Sequence, residues 1–122
     1  MNNPVVWFEI YVQDMERART FYETMLGVTL SKLAGTEMEM WSFPGGPEGG
    51  GASGSLVKMP GCPSGGNSVL VYFECEDCAE EGARIAGAGG KVHRDKMSIG
   101  PYGFVLLGVD TEGNVFGLHS MR

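Results

Sequence analysis

The sequence predicts an α+β fold of two tandem βαβββ modules, which would form a curved eight-stranded mixed sheet around a cup. The first observation is an internal repeat: a strand-like segment that leads into a capped helix occurs twice, so that Asp14 corresponds to Asp77 at a shift of 63 residues. The same shift pairs Trp41 with Phe104 and Gly54 with Gly117. An internal repeat decides the fold class before any single element does. Two facing copies leave a concave surface between them, where small molecules bind.

The second observation is the order of elements in the first module, predicted at residues 4–59. An apolar, β-rich segment at 5–12 predicts a strand, and Asp14 after it can cap a helix. Gly27 provides a left-handed helix end, and between them apolar residues recur at helical spacing: Ala18, Phe21, Tyr22 and Met25. Three short strands are predicted at 28–33, 38–43 and 52–59. The glycine-rich segment 45–51 is either a lid over the cup or a plain hairpin.

The second module, at residues 68–120, repeats this order. A strand is predicted at 68–75, and Asp77 with Glu80 resembles a capping box. Glycines at 87, 89 and 90 end the helix, and strands follow at 91–94, 103–109 and 114–120. The segment 60–67 has two prolines and three glycines, which indicates a linker. We therefore expect one domain over residues 1–122, built from two modules.

Composition excludes several classes of function. Hydrophobic residues make up 43% of the chain and charged residues 20%, which is ordinary for a globular domain. A net charge of −6 argues against a protein that binds nucleic acid. The apolar runs are too short to cross a membrane. The N-terminus lacks the pattern of a signal peptide, and three cysteines cannot all pair within one chain. A cytoplasmic protein is expected.

Two predicted strands carry aromatic residues and carboxylates on one face. In the first strand Trp7, Glu9 and Tyr11 alternate with apolar residues, and in the fifth Tyr72 and Glu74 do so. A carboxylate between aromatic residues is costly in a sealed core, so this face is expected to line a wet cavity. The alternative is plain solvent exposure, against which the two tryptophans argue.

The pair Cys75 and Cys78 forms a C-x-x-C at a strand–helix junction, where redox thiols also occur. The repeat aligns these cysteines with Val12 and Met15, which favours apolar structural positions. Of the two histidines, His119 lies two residues after Gly117 and is expected to face the same side of the last strand.

These motifs resemble the vicinal oxygen chelate superfamily, which includes glyoxalase I, bleomycin-resistance proteins and extradiol dioxygenases. The resemblance rests on VQDMERA at 12–18 with FY at 21–22 and LG at 26–27, on AGGKV at 88–92, and on DTEGN at 110–114. It covers nearly the whole chain. It implies that each βαβββ module adds four strands to a cup that holds the substrate.

The resemblance also implies four positions that hold the metal ligands in metal-dependent members. In this chain those positions are Trp7, Gly54, Leu70 and Gly117. None of these side chains can ligate a divalent ion. We therefore expect neither a metal nor another cofactor.

The sequence thus predicts a metal-free protein that binds a cationic or aromatic small molecule, as a homodimer and without nucleic acid or membrane partners. A first alternative is a metal-independent lyase or isomerase in which Glu9 or Glu74 acts as general base. A second is an accessory interaction domain with a vestigial cup. The residues expected at the ligand are Trp7, Glu9, Tyr11, Trp41, Gly54, Tyr72, Glu74, Phe104, Gly117 and His119.

Overall fold

The computed structural model describes residues 3–45 and 50–122. Its described elements are eight strands, two α-helices and one 3₁₀ turn. In chain order they are β1 (Trp7–Tyr11), α1 (Met15–Leu26), β2 (Ser31–Lys32), β3 (Glu39–Ser42), β4 (Ser53–Lys58), β5 (Tyr72–Glu74), α2 (Cys78–Gly82), β6 (Lys91–Ser98), the 3₁₀ turn Gly100–Tyr102, β7 (Phe104–Val109) and β8 (Val115–Ser120). This confirms the α+β class and the order βαβββ in both halves. The segment 45–51, interpreted as either a lid or a plain hairpin, falls largely on residues 46–49, outside the described residues.

The strands form two separate four-stranded sheets rather than one continuous eight-stranded sheet. The first sheet has the order β1-β4-β3-β2 and the second has the equivalent order β5-β8-β7-β6. In each sheet the first strand of the module runs parallel to the last, and the other pairs are antiparallel. The sheets are therefore mixed, and β1 and β5 are edge strands.

Helix α1 begins and ends as its sequence predicts. The Asp14 carboxylate accepts a hydrogen bond from the Arg17 N–H at 3.0 Å, which satisfies one of the free donors of the first turn. Gly27 adopts φ 68° and donates its N–H to the Glu23 carbonyl at 3.0 Å. A residue with a side chain would be strained in this left-handed conformation. The cap and the glycine fix the helix length.

Helix α2 is shorter than expected, because the segment after Gly82 continues as turns. The N–H of Ile85 donates to the Gly82 carbonyl and that of Gly89 to the Ala86 carbonyl, which are i→i−3 bonds. Such bonds belong to the tighter 3₁₀ geometry. Glycine is a poor helix former, and three glycines lie between 82 and 89. Strand β6, by contrast, runs four residues further than predicted, to Ser98.

The two modules do not correspond at one constant shift along their whole length. The difference determines which residues lie on the same face of a sheet. The N–H of Val12 donates to the Val57 carbonyl, and the N–H of Cys75 donates to the His119 carbonyl. The first strands thus correspond at a shift of 63 residues, but the last strands correspond at 62. A slip of one residue turns every side chain of a strand to the opposite face. Gly54 and Gly117 therefore do not occupy equivalent positions.

Both sheets and both helices contribute to one hydrophobic core. The first sheet contributes Ile10 and Leu56, the second contributes Leu106 and Leu118, and α1 buries Phe21 and Tyr22 completely. Aromatic rings fill the space between the modules: the Phe43 and Phe73 ring centroids are 5.5 Å apart. Edge-to-face and tilted ring pairs of this kind add to the stability gained by burial. We call the core-lining side of each sheet its inner face and the opposite side its outer face.

The turn after β7 forms hydrogen bonds that connect the two modules. The Tyr22 hydroxyl donates to the Asp110 carboxylate at 2.6 Å, and Asn114 Nδ2 donates to the Tyr11 carbonyl at 3.0 Å. The buried Glu112 carboxylate accepts the N–H groups of Gln13 and Asp14 at 2.8 and 2.9 Å. The start of α1 is thereby held against the second module.

Glu112 also forms an ion pair with Arg17. The guanidinium approaches the two carboxylate oxygens at 2.7 and 3.0 Å, in a bidentate arrangement. Burial by itself raises the pKa of Glu112, but the hydrogen bonds from Arg17, Asp14, Gln13 and Thr111 outweigh burial and lower this pKa to about 2. Glu112 is therefore ionised at any physiological pH.

Over the described part of the chain, no helix has the length and apolar character that crossing a membrane requires.

Candidate functional site

The outer face of the first sheet carries a carboxylate held between two aromatic side chains. Glu9 accepts a hydrogen bond from the Trp7 indole N–H at 3.1 Å and another from the Tyr11 hydroxyl at 2.7 Å. The hydrogen bond to Glu9 is the main reason that the pKa of Tyr11 is raised above its ordinary value, with burial second. The strand period of two places all three side chains in one row. The Glu9 carboxylate is therefore fixed in orientation before any ligand arrives.

Ser55 lies next to Glu9 on the adjacent strand, and it was not predicted. The two residues are register partners in the parallel pair of β1 and β4, so their side chains share the outer face. Ser55 is completely buried, and its hydroxyl has no hydrogen-bond partner among the described residues. A buried hydroxyl without a partner is costly. Nothing in the sequence pattern distinguishes this serine from its neighbours in the strand.

The outer face of the second sheet brings together four predicted residues. Tyr72 is the register partner of Gly117, and Glu74 is the register partner of His119. A Cβ on Gly117 would overlap the Tyr72 ring, so the ring lies directly over this glycine. His119 Nε2 is 2.7 Å from the Tyr102 carbonyl, and it donates because a carbonyl can only accept. The other ring nitrogen of His119 then stays available to a ligand.

Three predicted site residues lie on the inner faces instead. A Cβ on Gly54 would overlap the Phe8 ring, which packs against the core. Trp41 packs against the core, with the Arg19 guanidinium 3.5 Å from its ring centroid. Phe104 also packs against the core, with Lys96 Nζ 4.7 Å from its ring centroid. For these residues the expected placement in the cup does not hold.

Within one chain the two outer faces lie apart. Because both inner faces line the same core, both outer faces are turned away from it. Glu9 and Tyr11 line a cleft of about 230 Å³ between β1 and the linker. Glu74 and His119 line a different depression near the C-terminus. Within one chain, Glu9 and Glu74 therefore lie in different depressions.

The four positions implied for metal ligands do not fit a metal ion. Trp7 and Leu70 offer no side-chain lone pair to a metal, and the two glycines have no side chain. Gly54 in addition faces the core, away from Trp7. In residues 3–45 and 50–122, no three His, Cys, Asp or Glu residues come close enough to form a metal site.

The C-x-x-C cysteines occupy buried positions. Cys78 is completely buried and Cys75 is 9% exposed. Burial, and after it the charge of Glu81, raises the pKa of Cys75 to about 12. Redox-active cysteines have a lowered pKa instead. The burial agrees with the structural role that the repeat indicates.

Comparison with known proteins relates this chain to one group. Residues 5–46 match the family model described as bleomycin resistance protein-like N-terminal. Curated relatives named "Putative glyoxylase CFP32", from Mycobacterium bovis (strain ATCC BAA-935 / AF2122/97) and Mycobacterium tuberculosis (strain CDC 1551 / Oshkosh), are 30% identical over 117 residues. The match covers 93% of this chain and 42% of each relative. The chain thus spans less than half the length of these relatives.

Solved structures show the same fold. TnmS3, described as an antibiotic binding protein from Streptomyces sp. CB03234, has a TM-score of 0.69 and 27% identity, with coverage of 98% of this chain and 96% of that one. A member of the glyoxalase/bleomycin resistance protein/dioxygenase superfamily from Sphaerobacter thermophilus DSM 20745 has a TM-score of 0.71 and 20% identity, with 98% of both chains covered.

Proposed function

Since the chain belongs to the vicinal oxygen chelate superfamily, the group of glyoxalases, bleomycin-resistance proteins and dioxygenases, we propose that it binds a small molecule without a metal. The ligand lies against the outer faces of the sheets. The observation that carries this proposal is the Glu9 carboxylate, oriented by Trp7 and Tyr11. An aromatic surface with a few fixed polar groups is the usual composition of a ligand site. The similarity to TnmS3, an antibiotic binding protein by description, supports it.

The ligand that suits this surface is an aromatic cation. The Trp7 and Tyr72 side chains are 41% and 48% exposed, so their rings are available for stacking. Glu9 and Glu74 add negative charge on the two outer faces, and both are exposed. A cationic group would pair with a carboxylate while the aromatic body covers the indole.

Thermal stabilisation by tryptamine, compared with its neutral analogue tryptophol, tests this proposal. A ligand that binds only the folded state raises the free energy of unfolding by about 2.7 kcal/mol at 100 times its Kd. We expect tryptamine to stabilise the protein and Glu9→Gln to abolish most of the effect. Glu39→Gln is the matched control, because Glu39 accepts the Trp41 indole N–H in the same i,i+2 arrangement away from the proposed site. Equal stabilisation of both variants would contradict the proposal.

Turnover of a substrate that is lost in Glu9→Gln would instead support the alternative function, a metal-independent lyase or isomerase.

We further propose that a homodimer completes the cup. Among the described residues, no further strand pairs with the outer edges of β1 and β5, and exposed apolar residues flank these strands: Val5 at 59%, Val6 at 75% and Val69 at 71%. Such edges are prone to pair with another chain. In this arrangement the first sheet of one chain lies beside the second sheet of its partner, and Glu9 and Glu74 face one cup.

Sedimentation equilibrium tests the dimer. We expect the wild type to sediment as a dimer and Val6→Lys to sediment as a folded monomer, because a lysine at the interface must be desolvated. A monomeric wild type at millimolar concentration would rule out this arrangement.

The absence of a required metal is a separate prediction. Protein purified without a tag is expected to contain far less than one equivalent of zinc, nickel or iron, because the four implied ligand positions offer no donor side chain. Elemental analysis after dialysis against a weak chelator measures this. One tightly held equivalent per chain would contradict the prediction.

A further inference from the structure

A cavity lies between the two modules, bordered by the aromatic core and by the edge strand β5, including Tyr72. It has a volume of about 350 Å³, at the small end of the range for ligand sites. We call it the intermodule cavity. Its principal lining residues are Phe8, Leu26, Phe43, Phe73, Glu74 and Glu81.

Three phenylalanine rings form an apolar wall. The Phe8 and Phe43 ring centroids are 5.6 Å apart, those of Phe43 and Phe73 are 5.5 Å apart, and those of Phe8 and Phe73 are 6.5 Å apart. All three residues are only partly buried, which leaves part of their surface toward the cavity. Ring faces attract cations because of their negative quadrupole.

The charged residues that line the described part of the intermodule cavity are all acidic. Glu74 and Glu81 both line the cavity, and no lysine, arginine or histidine is among the described residues that do so. Glu81 Oε1 is buried and accepts no hydrogen bond from a charged donor in the described part of the molecule, although the Glu81 carboxylate acts on the Cys75 thiol and raises its pKa. A buried carboxylate oxygen without a donor is costly, more so than a neutral group. The arrangement lacks a positively charged hydrogen-bond donor.

We propose that the intermodule cavity is a second binding site, which takes a small organic cation with a primary ammonium group on an aromatic or branched apolar body. The ammonium donates to Glu81 Oε1, and the apolar body lies against the phenylalanine rings. This site borders the outer face of the second sheet at Tyr72 and Glu74, and it differs from the proposed outer-face site in Glu81 and the phenylalanine rings, which belong to the side of the core.

Phenethylammonium is the probe, and 2-phenylethanol is its neutral counterpart of similar size. Titration of the isotope-labelled full chain by NMR should give saturable shifts of the Phe43 and Phe73 ring signals and of the Glu81 carboxyl carbon. The alcohol should bind about tenfold more weakly, which corresponds to about 1.4 kcal/mol. Glu81→Gln should weaken the ammonium by a similar factor, since glutamine keeps the shape and removes the charge.

Glu80→Gln is the matched control, because Glu80 is exposed on the same helix turn. It should leave the affinity measured from the Phe43, Phe73 and Glu81 signals unchanged. If the wild type binds 2-phenylethanol and phenethylammonium with equal affinity, this result alone would overturn the proposal. Saturable shifts confined to Trp7 and Tyr11 would overturn it too and would leave the outer-face site intact. The absence of any saturable shift would overturn it as well.

Discussion

Glu112→Gln is expected to lower the free energy of unfolding at neutral pH by about 3 kcal/mol, the value of a pKa shift from 4.5 to about 2. The amide keeps the shape of the side chain but removes the charge that Arg17 and the N–H groups of Gln13 and Asp14 stabilise. Because these donors belong to the first module and Glu112 to the second, the change weakens the contact between modules. Urea denaturation of wild type and variant measures it.

The pH dependence of the free energy of unfolding provides a second test of the contact between Glu112 and Arg17. Glu112 has a lower pKa in the folded state than the ordinary 4.5, so its contribution to stability is complete above about pH 4.5 and is lost as the pH falls toward 2. The wild type should lose stability over this window, and Glu112→Gln should lose correspondingly less. Glu16→Gln, an exposed first-turn residue of α1, is the control and should follow the wild type. Parallel acid curves for the wild type and Glu112→Gln would show that the ion pair contributes little.

The pair Gly54→Val and Gly117→Val is expected to separate stability from binding. A side chain at Gly54 overlaps the Phe8 ring, and any movement of this ring disturbs its contacts with the Phe43 and Phe73 rings and with the core. Overpacking of this kind costs about 3 kcal/mol at the upper end. A side chain at Gly117 overlaps the Tyr72 ring, but this ring is 48% exposed and can rotate into solvent. Gly117→Val should therefore cost about 1 kcal/mol or less.

For binding of tryptamine, Gly117→Val should have the larger effect and Gly54→Val the smaller one. Gly117→Val displaces Tyr72 from the outer face and should abolish stabilisation by tryptamine, whereas Gly54→Val, once folded, should retain it. Thermal denaturation with and without tryptamine measures both effects in one experiment. If the two variants lose equal stability and equal binding, the assignment of the two glycines to opposite faces is wrong.

The sequence by itself determined the local elements. Each depends on interactions between residues near in the chain: Asp14 caps α1, Gly27 ends it, and alternation in β1 separates Trp7, Glu9 and Tyr11 from the apolar face. The repeat then determined the fold class, because the same short-range signals occur in the same order in both modules.

The face of β4 and the position of its glycine were decided only by tertiary structure. The repeat suggested that Gly54 and Gly117 are equivalent, but hydrogen bonding places the last strands one residue out of step. Alternation has a period of two, so this single residue reverses the direction of every side chain. Weak sequence identity between the modules could not reveal such a slip. Trp41 and Phe104 do correspond at the shift of 63 and both pack against the core, so the repeat related them to each other without showing which face they occupy.

The contact between the modules also depended on the tertiary structure. Glu112 follows β7, and its donors at 13, 14 and 17 lie about a hundred residues earlier, where no sequence spacing relates them. In the sequence, the turn Asp110–Asn114 indicates only a tight turn. Packing of both inner faces against one core brings these residues together and turns the outer faces apart. The sequence thus determined which side chains alternate along each strand, and the packing of the modules decided that the two outer faces point apart within one chain.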